Sequence, residues 1–119
     1  MIDENKRKLQ ERMAELHDKY CAQLPDKYQE IQDGWDEYKT DFSNPESIEK
    51  FYRLIHTLKG TAATFGFVTQ ADICFEVQKV LLKANENNTL LNEGLAVQIE
   101  NHLAELKANI NSPAKNFPN

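Results

Sequence analysis

The sequence predicts an all-α fold: an antiparallel four-helix bundle with an additional N-terminal helix. Three observations carry that reading. Apolar residues recur at intervals of three and four along almost the whole 119-residue chain, the spacing that gathers them on one helical face. Only 4 Gly and 4 Pro are present, too few for the many tight turns of a sandwich or barrel. No stretch alternates apolar and polar residues with the period of two that marks a half-buried strand. A chain of this length supports one core. Residues 1–111 are therefore expected to form one helical domain, and the Pro/Asn-rich residues 112–119 a linker or frayed tail.

Five stripes define the elements. Leu9, Met13, Leu16, Tyr20 and Leu24 form the first, and Tyr28, Ile31, Trp35, Tyr38 and Phe42 the second. Pro25 lies between them and is expected to separate two helices, because an interior proline removes a backbone hydrogen bond. Ser43-Asn44-Pro45-Glu46 supplies a capping residue, a proline at the first helical position and an early acid, which together announce a new helix. The third stripe is Ile48, Phe51, Ile55, Leu58, Ala62 and Phe65, closed by Gly66 as a left-handed C-terminal cap. The fourth helix should run from about Thr69 to Asn85, with Ala71, Cys74, Val77, Leu81 and Ala84 inward, and end in the cluster Asn85-Glu86-Asn87-Asn88. Leu95, Ile99, Leu103, Leu106 and Ile110 mark the fifth. Trp35, Tyr28 and Tyr38 stand at core spacing, and Cys74 is a small core residue.

Composition narrows the function classes. The charge is −5, from 14 Lys and Arg against 19 Asp and Glu, and no basic tract exists to grip nucleic acid through its phosphates. Cys21 and Cys74 form no Cys-x-x-Cys pair, so neither a disulfide framework nor a zinc knuckle is indicated. The opening residues lack a signal-peptide core, and no apolar run approaches the roughly 20 residues of a membrane span. The expectation is a cytoplasmic monomer that neither inserts in a membrane nor binds nucleic acid. Charge is also unevenly spread. Residues 25–47 hold seven acids against Lys27 and Lys39, whereas residues 48–66 hold Glu49 against Lys50, Arg53 and Lys59.

The third stripe carries one anomaly. Gly60 sits inside a helix whose apolar pattern continues beyond it, at a cost of about 1 kcal/mol relative to Ala. Counting from His56, Lys59 is i+3, Gly60 i+4 and Ala63 i+7, all on one face beside the apolar stripe. A lone histidine on such a face is ordinarily a plain surface residue. With an ammonium one turn away and small residues around it, the imidazole becomes a candidate nucleophile for a phosphoryl group. Lys59 would neutralise charge, and Gly60 would admit a second protein.

The string His-Thr-Leu-Lys-Gly-Thr-Ala-Ala-Thr-Phe-Gly at 56–66 resembles the signature of histidine-containing phosphotransfer (HPt) domains, at His56, Lys59, Gly60 and Gly66. That family tends to carry a Gln about 22 residues after the His, and Gln78 stands there. The resemblance covers about residues 10 to 110. It implies a phosphohistidine relay step, in which His56 is the acceptor, Gln78 hydrogen-bonds the imidazole, and aspartates of receiver domains of response regulators or hybrid sensor kinases exchange the phosphate. It implies no cofactor of the domain's own, with Mg²⁺ on the partner receiver only. Leu82 replaces a second basic residue that some members place one turn beyond the Gln. Tyr20–Pro25, Trp35 and Phe65-Gly66-Phe67 are similar to HPt modules that open multidomain response regulators.

Phe67, Phe75 and Leu82 fall at the edge of the apolar sector near His56 and are candidates for an exposed docking patch. His17 and His102 offer no metal-ligand spacing and read as helix-flank residues. The phosphoacceptor half of a histidine kinase is disfavoured: Thr57, not an acid, follows His56, and no Gly-rich nucleotide-binding segment is present. The sequence therefore points to a phosphotransfer intermediate, not an enzyme.

Overall fold

A computed structural model of the chain describes residues 3–86 and 92–111. These form α1 (Glu4–Thr40), α2 (Pro45–Thr64), α3 (Val68–Glu86) and α4 (Glu93–Asn111), with no strand among the described residues. Each helix runs antiparallel to the one before it. The expected end of the fourth stripe at Asn87 and Asn88, and the tail at 112–119, lie outside the described residues.

One expectation is corrected. Pro25 does not separate two helices; it lies inside a single helix of 37 residues. The leading helix and the first bundle helix are one element, so the described residues form four helices and not five. The reason is phase. Tyr20, Leu24, Ile31, Trp35 and Tyr38 are all buried, Tyr28 between them is half-buried, and these positions continue one three-four stripe across the proline. Pro25 itself is exposed, where water can satisfy the Cys21 carbonyl that loses its partner. The penalty of roughly 3 kcal/mol for an interior proline is outweighed by the single core face that an unbroken helix presents.

A second correction concerns the start of α1. At about 1.5 Å per residue this helix is roughly 55 Å long, which accounts for the 60 Å long axis of the molecule. Its first stripe is only half core: Leu9 is 62% and Met13 42% exposed. The other helices do not reach that far. The turn after α2 meets α1 at Tyr20, whose ring lies 5.2 Å from both Phe65 and Phe67.

Most of the remaining core is the expected one. Trp35 packs its ring 5.4 Å from Phe51 and sends its indole N–H toward Glu100 Oε1 at 3.4 Å on α4. Ile55, Leu58, Ala62, Cys74, Val77, Ile99, Leu103 and Leu106 complete it. Gly34 was not singled out by sequence, yet α2 packs tightly against it: a Cβ there would stand 3.1 Å from Leu54 Cδ1.

The ends of α2 fix the site's frame. Asn44 caps the start, its Oδ1 accepting from the Glu46 amide at 3.0 Å. At the other end Gly66 adopts φ +80°, the left-handed conformation open to glycine. The Phe67 amide donates to Ala62 O at 2.8 Å and the Gly66 amide to Ala63 O at 3.2 Å, the paired bonds of a Schellman cap.

Candidate functional site

His56 lies on the exposed side of α2, between the buried Ile55 and the exposed Thr57. Directly across the α2–α3 seam is Gln78, a polar residue only 3% exposed beside the buried Cys74, Val77 and Leu81. A buried amide is costly unless its hydrogen bonds are made, and here both ends are engaged. Its Nε2 lies 3.0 Å from His56 Nδ1, and its Oε1 accepts from Lys59 Nζ at 3.1 Å. One amide thus ties together the two side chains that the i, i+3 spacing places on neighbouring turns. His56 Nε2 is left pointing away from the seam.

The surroundings bias this cluster further. The Tyr52 ring, one turn before His56, stacks on the imidazole with centroids 6.1 Å apart and planes 8° apart. Lys59 Nζ also lies 5.0 Å from the centre of the Phe75 ring, and Lys79 Nζ reaches the same ring at 5.2 Å. Beneath the surface, burial pushes the Cys74 thiol up to about 12, although the positive charge of Lys59 opposes the shift. That thiol stays protonated and is no competing nucleophile.

Gly60 is open: a Cβ there would meet nothing within 4 Å. Ala63 is exposed one turn further on, so a cleared strip runs along α2 from His56 toward the helix end. On α3, Phe75 (47% exposed) lies beside Lys59 at the start of this strip, and Leu82 (45%) lies one turn beyond Gln78 on the other side of His56.

One of the docking-patch expectations is revised. Phe67 is fully buried and cannot belong to a docking patch. As the second residue past the cap it is turned inward by the Schellman geometry, where it packs on Tyr20 and stacks on His17 at 5.3 Å. Gly66 lies ten residues past His56, roughly 15 Å along the helix, and its role is to close α2. The positive bias of α2 is also smaller than its composition suggests. Lys50 pairs with Glu37 at 3.2 Å and Arg53 pairs with Glu49, leaving Lys59 to act at the histidine. Tyr52 and Lys79 went unnoticed in the sequence, though Tyr52 is i−4 to His56 and Lys79 is i+4 to Phe75, spacings that place such pairs in contact. His17 and His102 are flank residues, as expected, each within 3.5 Å of a neighbouring carboxylate.

Residues 15–109 match the family model described as the Hpt domain. The chain belongs to the Hpt domain family. Hpt domains are carriers in histidine phosphotransfer within two-component signalling and work with receiver domains, and the all-α bundle is the architecture expected of one. The match runs from within α1 to within α4 and includes the whole His56–Gln78 cluster. Among the described residues of this Hpt domain, no helix is long and apolar enough to cross a membrane. Nor do three or more His, Cys, Asp or Glu side chains among them converge as a metal site would.

Proposed function

We propose that this Hpt domain is a relay carrier, in which His56 Nε2 accepts a phosphoryl group from the aspartate of one receiver domain and passes it to another. The observation that carries the reading is the chain Lys59–Gln78–His56: Nδ1 is held from the buried side and Nε2 is turned outward beside the gap at Gly60. An imidazole fixed in this way is oriented before the donor arrives, which removes rotational freedom from the encounter. Lys59 is within one turn and meets the developing charge on the phosphoryl oxygens. Gly60 and Ala63 let the partner's surface descend close enough for in-line attack, with Phe75 and Leu82 as its apolar footing. Mg²⁺ belongs to the receiver, and the domain adds no cofactor and no nucleotide site of its own. All residues invoked come from one chain, so the proposed carrier works as a monomer, and the compartment we propose for it is the cytoplasm.

The test is incubation with a phosphorylated receiver. The expected product is an acid-labile, base-stable adduct on the wild-type chain, none on His56→Gln, and none with ATP alone. Gln at position 56 brings an amide oxygen that can replace Nδ1 as the acceptor for Gln78 Nε2, so His56→Gln should stay folded, with stability within about 1 kcal/mol of wild type. Normal acceptance by that variant would remove the histidine from the mechanism.

A further inference from the structure

The orientation of the Gln78 amide has a consequence for the chemistry of His56. An ammonium group has three donors and no acceptor, so the end of the amide facing Lys59 Nζ at 3.1 Å must be the oxygen. The NH₂ end is then committed to His56 Nδ1 at 3.0 Å. An NH₂ group only donates. Nδ1 must therefore present its lone pair, and the neutral ring carries its proton on Nε2. That tautomer has no lone pair on the outward nitrogen. The resting arrangement thus orients His56 correctly while holding it in the form that cannot attack.

We propose that Lys59 governs the tautomer of His56 through Gln78, keeping the ring unreactive until Lys59 turns to an arriving phosphoryl group. This inference rests on the reading of His56 as the phosphoacceptor. When Lys59 leaves Gln78 for the phosphoryl oxygens, the amide is free to rotate by half a turn. His56 Nε2 releases its proton to water and Nδ1 takes one up from water; Gln78 Oε1 then accepts from Nδ1–H, and the lone pair lies on His56 Nε2. That pair forms the N–P bond as the P–O bond to the donor's aspartate breaks, its electrons remaining on the carboxylate. The phosphorylated ring gives its Nδ1 proton to water. Nδ1 again presents a lone pair, and Gln78 Nε2 returns to it as donor. The lysine acts once on charge and once as a sensor of the donor, so nucleophilicity appears only when a phosphoryl group is present.

The readout is the ring tautomer itself, by long-range ¹H–¹⁵N correlation on the full chain with the imidazole neutral and no phosphate present. In the wild type the Nε2–H form should dominate. Lys59→Met should lower the Nε2–H to Nδ1–H ratio about tenfold, equivalent to ~1.4 kcal/mol, or about one net hydrogen bond. Lys59→Arg, also a pure donor, should restore most of it. A wild-type ring that is mainly Nδ1–H overturns the inference without recourse to any variant. A ratio indifferent to Lys59→Met in a folded protein does the same. Phosphorylation by the small donor phosphoramidate tests the underlying reading separately. No acceptance on His56 overturns the functional reading and the gating step with it, whereas acceptance with a Lys59-independent tautomer overturns this inference alone.

Discussion

Gly60 is the position where stability and function are expected to pull apart. The residue lies in the interior of α2 and is exposed, and a Cβ would meet nothing within 4 Å. Gly60→Ala therefore introduces no clash and removes the excess backbone freedom of glycine in the unfolded chain. A stabilisation of roughly 0.5–1 kcal/mol follows, or a Tm rise on the order of 2–5 °C for a domain of this size. The same methyl stands in the strip that a receiver must approach. Transfer from a phosphorylated receiver should slow, and slow further in Gly60→Gln, whose side chain is long enough to overhang His56. Phosphorylation by phosphoramidate should stay close to wild type in the Ala variant, because a small donor needs no docking surface. Thermal melts, receiver-dependent rates and phosphoramidate rates together separate access from chemistry. A more stable variant with unchanged receiver transfer would falsify the docking role of Gly60, and a loss of stability would mean that α2 is packed differently from the structure described.

Three further predictions follow from the packing. Phe67→Ala should cost about 3–5 kcal/mol, the range for truncating a fully buried phenylalanine, and the loss should appear in denaturant melts; a cost under 1 kcal/mol would return Phe67 to the surface. Pro25→Ala should stabilise the domain, since it restores the hydrogen bond to Cys21 O within a continuous helix, and a large loss of helicity by circular dichroism would contradict that continuity. Alkaline pH should destabilise the fold. Burial raises Cys74 from 9.0 to about 12 and raises Tyr20 and Tyr38 above their ordinary values. The unfolded chain therefore ionises first, so stability is intact below about pH 9 and falls as pH climbs toward the folded values. Cys74 alone contributes at most ~4 kcal/mol to that loss, and Cys74→Ala should flatten this part of the pH profile even though it lowers stability at neutral pH.

Much of this was legible in the sequence because it depends on period and composition. The stripes Ile48–Phe65 and Leu95–Ile110 became α2 and α4, and the start at Asn44-Pro45 and the cap at Gly66 lie where their chemistry requires. His56, Lys59 and Gln78 were each recognisable, two by helical spacing and the third by resemblance. What was illegible depends on what lies beside an element. Pro25 is a local rule overridden by a core that extends on both sides of it. Leu9 and Met13 have the pattern of core residues, but no neighbouring helix reaches them. Phe67 and Phe75 are both apolar residues close to the site in sequence; the cap geometry turns one inward, and the helical phase of α3 leaves the other in solvent. The role of Gly34 was likewise invisible, because it depends on Leu54 from another helix.

Gln78 joins the requirements of the fold to those of the chemistry. An amide on the core face of α3 brings no apolar burial, and unpaired it would cost roughly 1–3 kcal/mol. The fold tolerates it because His56 and Lys59, both on α2, satisfy its two ends. That mutual satisfaction also constrains the two partners. Lys59 is held between an amide oxygen and the Phe75 ring instead of sampling solvent, and His56 is held between the amide and the Tyr52 ring. The order of the site before any partner binds is thus maintained by the same contacts that make a buried glutamine admissible. Removing Gln78 frees both side chains at once, while removing either of them leaves a buried polar end without its partner. Substitutions within this trio are therefore expected to be non-additive, and a double-mutant cycle between Lys59 and Gln78 should return a coupling of about 0.5–3 kcal/mol. The same cycle between Gln78 and exposed Val97 on α4 should return none.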